Sequence, residues 1–262
     1  DRLVPDLGLD RDGSRVLDFG PRSFRVGFDE TLAPFVMDAA GTRLKDLPKP
    51  NSKDDAALAA EATDTWKAMK KDAKALAALE ILRLELAMGN ARRWRAQDFE
   101  TFLVHHPLLG HLVRRLVWGT FDGGVLGATF RVAEDRSYAS RGDDAFGLGA
   151  DATVGVVHRL QLTDEDAAAW SGVFRDYGLA QPFQQLDREV YRLAPEELVG
   201  NKLLRFDNRV IETKRVMGLL TRGWRKGSAH DNGLVPYFYK PIAKGLNAGL
   251  QISGINVSSM EW

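Results

Sequence analysis

No cysteine occurs among the 262 residues. That excludes disulfides, thiolate metal sites and a cysteine nucleophile, and it suits a reducing compartment. Long hydrophobic runs are missing as well. The apolar stretches at Pro107 to Leu109 and Val154 to Val157 fall far short of the roughly 20 residues of a membrane helix. No charged-then-apolar leader opens the chain. Nor is there an excess of one charge: Lys plus Arg and Asp plus Glu both number 36. Without a global field, a nucleic acid or anionic membrane would have to be held by a local patch. What remains is an ordinary globular composition, 44% hydrophobic and 27% charged, which argues against disorder. The length suffices to bury a large core, in one domain or two unequal lobes. The chain starts at Asp1 without a methionine and stops at Trp262 after an apolar stretch. Both ends read as cuts in a longer, soluble, intracellular polypeptide.

Residues 1–50 carry the signals of a β-meander. Asp12-Gly13 marks a turn before Arg15 to Phe19. Phe24, Val26 and Phe28 alternate with polar or small residues, the period-2 pattern of a half-buried strand. A short strand at Phe35 to Met37 turns at Gly41 and returns through Thr42 to Lys45. Residues 51–120 read as helical. From Lys53 to Gly89 there is no proline and no internal glycine, and good helix formers dominate. Ala62, Trp66, Met69, Ala73, Leu76, Leu79, Leu82 and Leu86 form one stripe, with Ser52 as N-cap and Gly89-Asn90 as the stop. If unbroken, this helix is about 55 Å long, although Thr63 to Thr65 could divide it. Shorter helices are expected from Gln97 to before Pro107 and from Pro107 to Trp118, the latter ended by Gly119.

Residues 121–262 mix strands and helices. Leu126, Ala128, Phe130 and Val132 share one side of a strand; Arg136 to Ala152 reads as a loop. Val154, Val156, Leu160 and Leu162 repeat the strand pattern. Thr163 with Asp166 opens a helix over Asp164 to Tyr177 in capping fashion. A further helix is expected from Asn208 to Leu220. Leu246 to Ile252 alternate as a strand, and the apolar parity then switches to Ile255 and Val257, which predicts a bulge at Gly254. Without regular βαβ spacing, the class is α+β.

Several strings carry a resemblance in their order and spacing: FRVGFDETLAPFV (Phe24 to Val36), RLKDLPKP (Arg43 to Pro50), RRW (Arg92 to Trp94), HPLL (His106 to Leu109), RRLVWG (Arg114 to Gly119), QPFQQL (Gln181 to Leu186) and GWR (Gly223 to Arg225). Together they resemble an uncharacterised bacterial domain family (MolR-like). It lies in the C-terminal part of large proteins labelled molybdate metabolism regulators, some with a WGR domain. The resemblance covers roughly Arg22 to Gly254 and implies a cytoplasmic multidomain context in which nucleic acid is a candidate partner. It carries no catalytic residues over. It departs from the family pattern at His158-Arg159, where a His-Pro pair is usual.

One pattern stands out as chemistry. Arg92, Arg93, Trp94 and Arg95 follow the long helix, Arg114, Arg115 and Trp118 come one helix later, and Trp224, Arg225 and Lys226 form a third group. Arginine makes bidentate phosphate contacts, and a tryptophan face stacks on a base for about 1–3 kcal/mol. The competing account packs each tryptophan in the core and pairs the arginines with Asp98, Glu100 or helix ends. Strand parity turns His158 toward the apolar face, where a catalytic role would need a partner such as Asp207 or Glu212. The remaining histidines lack the i, i+4 spacing of a zinc helix, so no metal site is expected. The Asp143 to Asp151 loop lacks EF-hand and P-loop signatures and reads as a mobile surface loop, and no cofactor signature appears.

Two functions follow from these readings. The first is a non-enzymatic interaction module of a larger cytoplasmic protein, partnered by other domains of the same polypeptide, with the Arg-Trp groups binding a protein partner or a nucleic-acid backbone. The second is an enzyme of unknown reaction with a cleft near His158 and the Arg205, Asp207 and Arg209 run.

Overall fold

A computed structural model describes residues 4–243 and 246–256. The chain is α+β and divides into two compact units, Asp1–Arg188 and Glu189–Trp262.

The first unit opens with an antiparallel meander of β1 (Ser14–Asp18), β2 (Ser23–Phe28), β3 (Pro34–Met37) and β4 (Arg43–Leu44), in that order. Phe24, Val26 and Phe28 are buried as the alternation requires. The long helix, α1 (Ala56–Gly89), is continuous over 34 residues, about 51 Å, with no break at Thr63 to Thr65. Its N-cap is Asp55, not Ser52: the Asp55 carboxylate accepts from the Ala57 and Leu58 amides at 2.9 and 3.0 Å. It ends at Gly89 with Asn90 as C-cap, as expected, and Ala91, held at φ 53°, turns the chain out of it. The Arg92 amide donates to the Ala87 carbonyl and the Ala91 amide to Met88, the paired bonds of a Schellman ending.

The N-terminal half of α1 buries Ala59, Ala62, Trp66, Met69 and Ala73 on the meander. Its C-terminal half buries Glu80, Leu84, Ala87 and Met88, while Leu79 is 53% exposed. The true stripe therefore runs through Leu84 and Ala87, not through Leu79, Leu82 and Leu86 as the leucines alone suggest.

Leu84 and Met88 rest on a five-stranded antiparallel sheet with the order β5 (Trp94–Arg95), β9 (Thr153–Val156), β6 (Trp118–Asp122), β7 (Val125–Val132) and β8 (Tyr138–Ala139). The same face takes α2 (Ala96–Phe99), its π-helical continuation Glu100–Val104, and α3 (Leu109–Val113). The other face is covered by α4 (Asp164–Asp176) through Trp170, whose Nε1 donates to Thr129 Oγ1 at 3.0 Å. Thr163 caps α4, accepting from the Asp166 amide at 3.0 Å.

The expected helix from Pro107 to Trp118 is only α3. Trp118 starts β6, and Gly119 lies within it because a side chain there would meet Leu126 Cδ1 at 2.4 Å and Val157 Cγ2 at 2.9 Å. The expected loop from Arg136 to Ala152 contains β8, and it is pinned: Phe146 stacks on Phe130 at 4.9 Å, and Asp143 binds Arg131 at 2.7 Å.

The second unit contains α5 (Thr213–Gly218), shorter than the helix expected from Asn208 to Leu220, and a sheet of β10 (Arg225–Lys226), β11 (Leu234–Ala243) and β12 (Leu246–Asn256). The register of β11 and β12 slips between Val235↔Ile255 and Tyr237↔Gln251, which puts the expected bulge around Gly254. Val257 lies outside the described residues.

Candidate functional site

The C-terminal half of α1 has one polar position on its buried stripe. Glu80 is 5% exposed, and it is tied to Arg83 at 2.6 Å. After the Schellman stop the chain reverses, and β5 pairs with β9, Trp94 opposite Val154. This reversal carries Arg92, Arg93, Trp94 and Arg95 back beside Glu80 and Arg83. α2 and its π-helical turn close the other side with Asp98, Thr101 and Phe102. Between them lies a cavity of about 430 Å³, within the range of small-molecule sites.

Each arginine is held differently. Arg92 stands over the Trp94 ring at 5.2 Å. Arg93 lies over the Phe121 ring at 3.5 Å and donates to the Arg92 carbonyl at 2.9 Å, with its Nε buried and without a hydrogen-bond partner. Gly155 makes room for it, since a Cβ there would sit 2.6 Å from Arg93 Cδ. Burial lowers the pKa of Arg93, though a guanidinium stays charged at any physiological pH. Arg95 bonds Asp98 at 3.0 Å, and that bond raises its pKa. With the Arg93 guanidinium committed to Phe121, Arg83, Arg92 and Arg95 outnumber Glu80 and Asp98 by one charge. Trp94 is anchored edge-on against Trp118 at 5.9 Å, whereas Phe102 is 48% exposed at the rim. The site is thus cationic, with aromatic surface at hand.

His106 stands at the floor. Its Nδ1 accepts from the Leu108 and Leu109 amides, and its Nε2 faces the Val4 carbonyl at 3.2 Å. The proton therefore sits on Nε2, and burial lowers the pKa.

The other sequence candidates separate from this group. Arg114 lines a smaller cavity of about 150 Å³ with His111. Its Nη2 donates to His111 Nδ1 at 2.8 Å, and the Arg115 Nε donates to the His111 carbonyl at 3.0 Å. Trp118 is fully buried, its Nε1 donating to Val113 at 2.9 Å, so its ring offers no stacking face. Trp224 packs in the core of the second unit, while Arg225 and Lys226 are exposed on β10.

His158 is not on a strand face, because β9 ends at Val156. It is half-buried and caps a 3₁₀ turn, Arg159–Gln161, its Nδ1 accepting from the Leu160 amide at 3.1 Å. None of the described cavities is lined by His158 or Asp207. Asp207 is exposed after the turn Leu204–Phe206, and Arg205 is paired with Glu197. Among the described residues no group of His, Asp and Glu is arranged to hold a metal ion.

Sequence reasoning missed Glu80, Arg83, Phe102 and His106 as parts of the arginine site. A signal existed for two of them: Glu80 and Arg83 are an i, i+3 ion pair on α1. The QPFQQL string has a structural use. Gln185 is fully buried, accepting from the Val117 amide at 2.9 Å and donating to the Val117 and Val157 carbonyls at 2.8 Å each.

Among the described residues no helix is long and apolar enough to cross a membrane. No solved structure matches the chain. It is 37% identical over 230 residues to the uncharacterized protein YehI of Escherichia coli (strain K12), which covers 87% of this chain and 19% of that protein. The chain thus spans about a fifth of the length of the curated relative it matches. The family model for a domain of unknown function (DUF4132) matches residues 41–224, and the chain belongs to that family.

Proposed function

We propose that the chain is a non-enzymatic interaction module of a large cytoplasmic multidomain protein, and that the arginine cavity holds the phosphates of a nucleic-acid partner. The observation that carries this is the convergence of Arg83, Arg92 and Arg95 on one cavity, against two carboxylates. Guanidinium groups bind phosphate bidentately, and the exposed Phe102 offers a ring beside them. The large regulator-like proteins with WGR domains that the sequence resembles suit such a module, with the other domains of the same polypeptide as its standing partners.

Fluorescence anisotropy with single-stranded and duplex 12-mers of DNA and RNA tests the reading. Binding should weaken steeply with salt as counterions are released. The Arg92→Ala/Arg95→Ala variant should bind on the order of tenfold more weakly, with a salt slope smaller by about 1.4 for single strands, two phosphate contacts being lost. Binding that ignores salt, or an unchanged affinity in the variant, would sink the proposal.

A further inference from the structure

The sheet of the second unit has two unlike faces. Phe238 and Leu250 point into a core with Val216, Met217 and Trp224. Cross-strand register places Arg225 opposite Tyr239, Tyr239 opposite Gly249 and Tyr237 opposite Gln251, and these side chains occupy the other face. Tyr237 is 41% exposed, and Arg225, Gly249 and Gln251 are exposed with it. The Tyr237 and Tyr239 rings are nearly parallel, 16° apart in plane with centroids at 6.2 Å.

Gly249 explains how this platform is built. A Cβ at that position would lie 2.4 Å from the Tyr237 hydroxyl oxygen and 2.9 Å from two of its ring carbons. The ring therefore rests against the glycine backbone while the residue stays 41% exposed. On this face Arg225 stands beside the tyrosines, while Lys226 and Lys240, by the same register, share the side of Phe238. The three strands contain no carboxylate, in a chain whose net charge is zero.

We infer that this face is a base-stacking platform for single-stranded nucleic acid, with Tyr237 and Tyr239 as the stacking rings and Arg225 beside them for the backbone. Parallel aromatic rings on an exposed sheet accept successive bases of any sequence, and Arg225 supplies charge complementarity to the phosphates. Duplex DNA, whose bases are already stacked, gains nothing from such a surface. The inference does not rest on the arginine cavity, which lies in the other unit.

The test uses the whole chain and two fluorescein-labelled probes, a 12-nucleotide oligothymidylate and an abasic deoxyribose-phosphate oligomer of equal length. The unaltered chain should bind the oligothymidylate on the order of tenfold more tightly than the abasic oligomer. Tyr237→Leu/Tyr239→Leu should erase that difference while leaving abasic binding unchanged, and Tyr237→Phe/Tyr239→Phe should keep it. Equal binding of the two probes by the unaltered chain overturns the inference without any variant. So does a folded leucine variant, checked by circular dichroism, that still prefers the oligothymidylate. Should the leucine variant unfold, Arg225→Glu on the exposed edge replaces it, with weakened binding expected and unchanged binding overturning the idea. A loss confined to the Arg92→Ala/Arg95→Ala variant, with no preference for bases, leaves the cavity reading standing and removes this one.

Discussion

Gln185 acts as a piece of backbone. Its amide meets the Val117 N–H and the Val117 and Val157 carbonyls, all out of solvent. Leaving buried groups unsatisfied costs about 1–3 kcal/mol each. Gln185→Ala should therefore destabilise the chain by about 3–5 kcal/mol in urea denaturation. Gln185→Glu should fare no better, since it sets an acceptor against two carbonyls. A loss under about 1 kcal/mol would show that the amide is dispensable. His111 shows the same logic in titration. Burial, then Arg114 and Arg115, lower its pKa to about 4, and Arg114 donates to its Nδ1, so the folded state holds the neutral ring. The unfolded chain binds that proton at about 6.5, so stability rises with pH between about 4 and 6.5 and falls on acidification through that window. His111→Gln should lose about 1–2 kcal/mol less than the unaltered protein between pH 7 and pH 5, compared by urea midpoints. A string such as QPFQQL announces amides in a sequence. That one of them completes strands 28 and 68 residues away is settled only by folding.

At the scale of elements, α1 was legible in existence, extent and C-terminal end, and misread in its N-cap and its far face. Alanine and leucine content with no proline dictates a helix. Choosing among Leu76, Leu79, Leu82, Leu84 and Leu86 depends on which neighbour the helix meets, and the five-stranded sheet selects Leu84. The turn after the Asn90 C-cap came from Ala91 in a left-handed conformation, which no local propensity announces. Ala91→Gly should raise stability by about 0.5–1 kcal/mol, as the strain of a Cβ at positive φ is removed and only partly offset by the freer unfolded chain. A thermal melt checks the sign. β11 was not foreseen because Pro236 and Pro241 interrupt its pattern. Proline is tolerated there beside register slips, where ladder bonds are already missing.

At the scale of the whole molecule, residues 1–188 hold three apolar clusters of their own. Expressed alone, they should melt cooperatively and keep a near-ultraviolet circular dichroism signal from the buried Trp118 and Trp170. A broad, featureless melt would contradict the division. The family match, residues 41–224, begins inside the meander and ends in the second unit. The amino-acid sequence by itself determined the α+β class, the meander, the long helix, the Thr163 cap and the bulge near Gly254, because each rests on local periodicity or local backbone chemistry. Only the tertiary structure decided which Arg-Trp groups meet. It returned Arg92 to Arg95 to α1 through a left-handed stop and a two-residue strand, sealed Trp118 in the core, and left Tyr237 of β11 exposed. The physical reason is range: a helix or turn is written in neighbouring residues, whereas the company a side chain keeps depends on strands and helices far along the chain.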